Sequence, residues 1–575
     1  MASDQSSQPE GSQALWNHQV SSGAEKQGFG RRKFLGAALG MGTALAGGSV
    51  LLSSCSNSAP ASMGKPLSDG ISSLPPKPGG KLVFGIDSEV AGFNPSVSPW
   101  SPSGVNYARA LFDPLAILMA DGTVRPYLAQ SITPNTDYTV WTITMRPGVV
   151  FHDGTPCDAK AVAYNLDHFR QSEFVVFLTN MSKVTVTGPL TLEVQMNEPW
   201  VPFPALLTGS VGAQVGWISA PSMLKSKTGA AHPIGTGPFK FVEWIPNDHM
   251  IATKNVHYWR KGLPYLDEIE YKPITSSASR SNSLQSGALD IMMDATTQVM
   301  VEYMHNPHYS YIDTSHVNIG EPGVNFIMLN TKKPPFDNLL ARQALAYGTD
   351  LETFNKVVAN SLPQLVTGLF PPGNPYHTPT GYPTFDAKKA AALVKQYEST
   401  TGKPLAFTYT ATSGNTTESE IGQLFQSMWQ TAGMKVNLTY VEEAVLIQNA
   451  INHSFQASSW AQFSAPDPDC NWAFWHYPSL TNFPSNNDPE INHYLHVGRT
   501  NSDPTTRKYA YQAISKRLAV DLPYIWTNSD LFAIMARPGV MNFNAPTSPD
   551  GGKALGLKNG VIWPTQIWID GGLSG

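Results

Sequence analysis

Apolar and polar residues change period along the chain, from alternation to helical spacing and back. In Tyr138–Arg146, YTVWTITMR, large and small residues alternate, as in a half-buried strand. Lys81–Ile86, KLVFGI, is a short β-rich run after Gly79-Gly80. The period then lengthens. Ala161, Val162, Leu166 and Phe169 fall at helical spacing within 159–169, and Asp158 stands where an N-cap belongs. Residues 338–350 predict a second amphipathic helix, and 421–433 a third that ends on Gly433 as its C-cap. MKVNLTYVE, from Met434, returns to a strand. The order is mixed α/β, and no internal repeat of roughly 20–50 residues interrupts it.

One apolar run fits neither period. Gly36 to Leu52 is broken by Gly36, Gly40, Gly42, Gly47 and Gly48, and glycine lowers both hydrophobicity and helix propensity. That makes a poor permanent span. Arg31-Arg32 followed by Lys33, Phe34 and Leu35 resembles a twin-arginine export signal. Leu52-Ser53-Ser54-Cys55 resembles a lipobox, whose cysteine takes lipid and becomes the new N-terminus. Residues 1–54 are therefore expected to be a signal peptide with a disordered leader. The stretch 55–78, rich in Ser, Pro, Ala and Gly, is expected to be a flexible tether. The competing reading is a retained signal anchor with Cys55 incidental. Beyond this run, no stretch reaches the roughly 18–20 apolar residues that a membrane span needs.

Totals narrow the function. The length of 575 residues suggests two to four domains. Charged residues are only 14%, the net charge is −5 and no Lys/Arg run occurs, which argues against nucleic acid as a partner. Aromatics at 10% fill cores and also line ligand clefts. Three cysteines exclude a disulfide framework.

Several ordered stretches carry a resemblance. They are GGKLVFGIDSEVAGFNPS (79–96), LFDPLAILMADGTVRPYLAQSI (111–132), WTITMRPGVVFHDGTPCDAKAVAYN (141–165), PIGTGPFKFVEW (233–244), RSNSLQSGALDI (280–291), LNTKKPPFDNLLARQALAYGTD (329–350) and DPDCNWAFW (467–475). Together they resemble the peptide/nickel/opine group, family 5, of bacterial extracytoplasmic solute-binding proteins, the receptors of ABC importers. The resemblance is collinear from about 79 to about 530. It implies a two-lobed periplasmic-binding-protein-like α/β fold of type II with an extra inserted domain. Domain I would comprise 79–115, 226–318 and 535–575, domain II the insertion 116–225, and domain III the second lobe, 319–534. The implied function is capture of a peptide, as an oligopeptide, in the inter-lobe cleft, without catalysis and without a cofactor. The implied partners are an ABC permease and ATPase, with no nucleic acid and a monomeric receptor. The implied location is the outer face of the cytoplasmic membrane, on the periplasmic side, anchored through Cys55.

For the ligand, the resemblance points to Asn106, Tyr107, Trp460, Gln462, Phe463, Asp467 and Trp472. In peptide-binding members an aspartate stands three residues after the equivalent of Trp460 and pairs with the peptide ammonium. Here that position is Phe463, in SSWAQFSAPDPDC. A phenyl ring cannot neutralise a buried ammonium, and an unpaired buried charge costs several kcal/mol. Either Asp467 or another acid takes that role, or the ligand is not held by a free N-terminus; the second reading is preferred. A sugar oligomer stacking on Trp460, Trp472 or Trp475 is the alternative ligand.

Other motifs have plain structural readings. His152-Asp153-Gly154 reads as a strand-to-helix turn rather than a catalytic pair. Gly235-Thr236-Gly237-Pro238 lacks the remaining elements of a phosphate loop and reads as a close backbone crossover. Asp467-Pro468-Asp469 reads as a helix opening. His305, His308 and His316 lack carboxylate or thiolate companions at zinc-like spacing, so no metal is expected. Ser222-x-x-Lys225 and Lys227-Thr228-Gly229 match two motifs of penicillin-interacting serine enzymes, a distant alternative. One residue between the two motifs is too few for their separate positions in such enzymes.

Overall fold

The computed structural model describes residues 69–570 apart from 211–213 and 414–415. Arg31, Arg32, Cys55, the whole of 1–54, the tether up to residue 68 and residues 571–575 lie outside the described residues. Among the described residues no helix is long and apolar enough to cross a membrane.

The periodicities become elements. KLVFGI is a strand over its full length, Lys81–Ile86. YTVWTITMR gives the strand Val140–Met145, with Trp141, Ile143 and Met145 buried on one face. The helix Ala159–Arg170 starts at Asp158, whose Oδ1 accepts the Ala161 N–H at 3.0 Å. Asn338 caps Leu339–Tyr347 by accepting from the Leu340 N–H at 2.9 Å. The third helix, Thr416–Thr431, starts ahead of its apolar stripe. Its first turn, Thr-Thr-Glu-Ser, is polar and leaves no periodic mark. Gly433, at φ +95°, turns the chain into the strand Lys435–Val441.

Three sheets organise these elements. A seven-stranded sheet runs in the order Ser310–Asp313, Ala533–Ala536, Ile291–Asp294, Lys81–Ile86, Glu268–Pro273, His249–Lys254, Phe239–Ile245. Its centre is parallel: Lys81–Ile86 pairs residue for residue with Glu268–Pro273. The strand Ala533–Ala536 already belongs to this sheet, so it straddles the return to domain I expected at 535. An antiparallel four-stranded sheet is built from Ala129–Pro134, Val140–Met145, Thr191–Met196 and Met181–Val186. A mixed five-stranded sheet runs Lys435–Val441, Ala406–Thr412, Ala457–Gln462, Val324–Leu329, Tyr524–Ser529. The first two sheets share one continuous core that includes Phe84, Tyr271, Trp141 and Leu166. The third has its own, around Phe407, Trp429 and Trp526.

The backbone at 235–237, just before the strand Phe239–Ile245, crosses closely over Leu111 at the end of the helix Pro102–Leu111. A Cβ at Gly235 would lie 2.1 Å from the Leu111 carbonyl oxygen, and one at Gly237 would lie 2.4 Å from the Leu111 carbonyl carbon. His152 fastens this approach. Its Nδ1 accepts the Gly235 N–H at 3.4 Å, which leaves Nε2–H to donate to the Gly237 carbonyl at 3.0 Å. Burial pushes its imidazole pKa down to about 4. Asp153 faces elsewhere, accepting from Thr155 and from the Ser222 hydroxyl at 2.6 Å. The His-Asp pair is thus a corner, with the two side chains on different partners.

Candidate ligand cleft

A cleft of about 530 Å³ lies between the seven-stranded and five-stranded sheets. On one side are Pro102, at the start of the helix Pro102–Leu111, Thr296–Thr297 after the strand Ile291–Asp294, and Leu531–Phe532 before Ala533–Ala536. The facing wall is contributed by the five-stranded sheet through Phe326, Tyr409 and Trp460. Packed helices add Phe354, Ile421 and Phe425. The walls are mainly apolar and aromatic, with a few polar groups among them, a composition suited to burying a ligand's surface while fixing its orientation.

The charge of the lining has one sign. Glu418, Glu443 and Asp530 line the cleft, whereas none of its described lining residues is Lys, Arg or His. Glu443 is exposed at the start of the helix Glu443–Ile451. Burial raises the Asp530 carboxyl to about 7, against a hydrogen bond from the Asn325 side chain that favours the ionised form. Glu418 is half-buried in the first turn of Thr416–Thr431, and burial raises its pKa too. Among the described residues its carboxylate has no hydrogen-bond or ion-pair partner. Lys558 lines a neighbouring small cavity that shares Asp530 and Asn559 with the cleft. Its Nζ already donates to Ile319 O at 3.0 Å and Ala465 O at 2.9 Å.

The sequence-derived candidates separate into two sets. Trp460 and Phe463 line the cleft; Trp460 is half-buried and edge-on to Phe483 at 5.1 Å, and Phe463 is 41% exposed. Asn106, Tyr107, Gln462, Asp467 and Trp472 are not among its lining. Asn106 is a buried bracket: Oδ1 accepts from Ile562 N–H at 3.1 Å, and Nδ2 donates to Gly560 O at 3.0 Å. Tyr107 is buried among Phe93 and Tyr271, because every residue of the helix Pro102–Leu111 is buried. The cleft meets that helix at its first residue, Pro102, instead. Gln462 is 2% exposed. Asp467 caps the 3₁₀ turn Pro468–Asn471 and binds Arg507 through both oxygens, at 2.7 and 2.9 Å, so it cannot stand in for the acid that Phe463 lacks. Trp472 packs against the Arg499 guanidinium at 4.3 Å and stacks on His476 at 3.9 Å. Trp475 is 5% exposed and meets Tyr524 edge-on.

Sequence reasoning missed Glu418. Its only signal is an acid in TTESE after the strand Ala406–Thr412, which reads as an ordinary acid near a helix start. Neither alternative chemistry gathers support. Lys225 lies over the Tyr164 ring at 5.0 Å, and the Ser222 hydroxyl is bonded to Asp153. Among the described residues no group of three or more His, Cys, Asp or Glu is placed to hold a metal ion. Cys157 and Cys470 are buried and unpaired.

Residues 123–483 match the model of the bacterial extracellular solute-binding proteins, family 5, middle region. The chain belongs to this family. The family 5 chain is similar to the glutathione-binding protein GsiB of Salmonella paratyphi A, with 25% identity over 437 residues, 73% of this chain and 83% of that one. In fold it is similar to AgaA of A. tumefaciens R10, solved with agropinic acid. The TM-score is 0.74 at 24% identity, covering 85% of this chain and 99% of that one. It is also similar to the oligopeptide-binding protein AppA of Bacillus subtilis, solved with a nonapeptide. There the TM-score is 0.73 at 20% identity, covering 86% of this chain and all, 100%, of that one. These relatives are substrate-binding proteins and not enzymes, and the fold is the two-lobed α/β fold of the family. The family is one of extracytoplasmic receptors of ABC importers.

Proposed function

We propose that this protein is the lipid-anchored substrate-binding subunit of an ABC importer, capturing an oligopeptide in the cleft and delivering it to a membrane permease. The observation that carries the peptide reading is the cleft, with apolar aromatic walls drawn from both lobes and polar groups such as Asn325, Ser459 and Thr527 among them. Apolar side chains fit such walls, and the polar groups can hydrogen-bond a peptide main chain. The glutathione-binding relative and the nonapeptide-bound neighbour support the same class. A sugar oligomer has less to rest on, since Trp460 is the one tryptophan among the described lining residues, which include neither Trp472 nor Trp475.

The three sheets also support a division of the body into domain I (79–115, 226–318 and 535–575), domain II (116–225) and domain III (319–534), except that the strand Ala533–Ala536 sets the last return to domain I two residues earlier. Ligand contacts with both lobes would then favour the closed form that a permease meets. A lipid on Cys55, after export through the Arg31-Arg32 signal, would hold the receptor at the outer face of the cytoplasmic membrane. Tethering there raises its effective concentration at the permease. Mass spectrometry of the protein extracted from its own host's membranes tests both parts. The expected result is a chain beginning at a diacylated Cys55, carrying a co-purified peptide ladder. A glycan mass in place of peptides would overturn the ligand reading, and a chain retaining residues 1–54 would overturn the anchor.

A further inference from the structure

The lining of the cleft is more selective than its apolar walls alone suggest. It brings three carboxylates and no described cation to the ligand. A peptide that buried its C-terminal carboxylate there would find no opposite charge among the described lining residues, and it would be repelled by the acids. The three acids are not equivalent. Glu443 is exposed and stays solvated. Asp530 is engaged with Asn325, and its raised pKa leaves it partly protonated near neutrality. Glu418 is half-buried beside Tyr409, Ile421 and Phe425 and has no partner among the described residues. A half-buried carboxylate without a partner, in a cleft of this size, has its charge left for the ligand to match.

Resting on the peptide reading above, we infer that Glu418 is the counter-ion for a ligand ammonium, and that the cleft selects apolar peptides with a free amine and no carboxylate inside it. This reverses the sequence preference for a ligand not anchored by its N-terminus. Position 463 carries no charge, and the acid is supplied from the first turn of Thr416–Thr431 instead. Selection acts at both ends of the ligand: the amine meets Glu418, and the other end must be neutral or leave the cleft.

The test uses the mature protein and three forms of one tripeptide, Leu-Phe-Leu: the amide with a free amine, the free acid, and the acetylated amide. Affinities are read by calorimetry. The amine-bearing amide is expected to bind at least about tenfold tighter than either other form. In Glu418→Gln the advantage over the acetylated form is expected to fall below about threefold. This ratio is read within one variant, so a general loss of folded protein does not mimic it. A free acid that binds as well as the amide overturns the inference, as does an amine preference that survives Glu418→Gln. Equal binding of all three forms, weakened by Trp460→Ala, retains the peptide cleft while overturning the role of Glu418. Binding of none of them overturns the peptide reading and the inference with it.

Discussion

At the scale of single residues, burial decides whether a charged side chain is available to a ligand. Asp469 and Arg499 form an ion pair at 2.9 Å whose side chains are 3% and 5% exposed, and the Trp200 indole donates to the same carboxylate at 2.6 Å. Arg499 also faces the rings of Trp200 and Trp472. Trp200 follows Thr191–Met196 of the four-stranded sheet and Arg499 lies in the helix Pro489–Thr500, so this cluster ties the two regions together. Such a pair is weak evidence of net stabilisation, but removing one partner strands the other charge. Asp469→Ala is therefore expected to cost about 3–5 kcal/mol in urea unfolding. By contrast Asp503→Ala, at the exposed cap of Pro504–Asp521, should cost about 1 kcal/mol. Similar losses for the two variants would refute the buried-pair account. The same logic explains which site residues could be read from sequence. Trp460, in the strand Ala457–Gln462, and Phe463, just past its end, were singled out by the family resemblance, and both line the cleft. Asp467 stands only four residues beyond Phe463, yet its charge is taken by Arg507, which is 40 residues away in sequence.

At the scale of elements, local signals were reliable where the backbone sets the chemistry. Asp158 and Asn338 cap the helices their spacing predicts, and KLVFGI is a strand from end to end. The helix over 416–431 was only partly legible, since amphipathic periodicity begins where a helix first meets the core and misses a polar first turn. That omission hid Glu418. The glycine pair at 235–237 was legible as a close crossover because only glycine lets two backbones approach so nearly. Gly237 has no positive φ, so its need for glycine is steric alone. Gly237→Ala would place a methyl against Leu111 backbone, which has no rotamer with which to yield. The expected cost is about 1–3 kcal/mol, at the level of overpacking, with loss of hydrogen-exchange protection at the Gly235 and Gly237 amides. An unchanged urea midpoint together with unchanged exchange would show that the crossover tolerates a side chain.

At the scale of the whole molecule, buried ionisable groups set opposing pH dependences. His152 and His476 are each lowered to about 4, first by burial and, for His476, also by Arg499. Asp113, which accepts from Thr236, Tyr258 and Trp259, is raised by burial to about 6, and Asp530 to about 7. A histidine with a depressed folded pKa loses stability as pH falls from the unfolded value near 6.5 towards 4, because the unfolded chain binds the proton first. A carboxyl with a raised folded pKa does the reverse: stability is lost as pH climbs from near 4 through the folded value. The two sets offset each other over one window, so the intact protein is expected to show only a shallow slope between about pH 4 and 6.5. Removing one histidine should unmask the carboxyls. In His152→Gln the amide can still donate to the Gly237 carbonyl, but the histidine's acid-side penalty is gone. Relative to this variant, the wild type should lose up to about 3 kcal/mol on going from pH 7 to pH 4, because the imidazole that titrates near 6.5 in the unfolded chain titrates at about 4 in the fold. Urea midpoints for the two proteins across that range should therefore converge or cross towards acid. Parallel curves would mean that His152 is protonated as readily in the folded protein as in the unfolded chain, and that the crossover at 235–237 does not depend on its neutral ring.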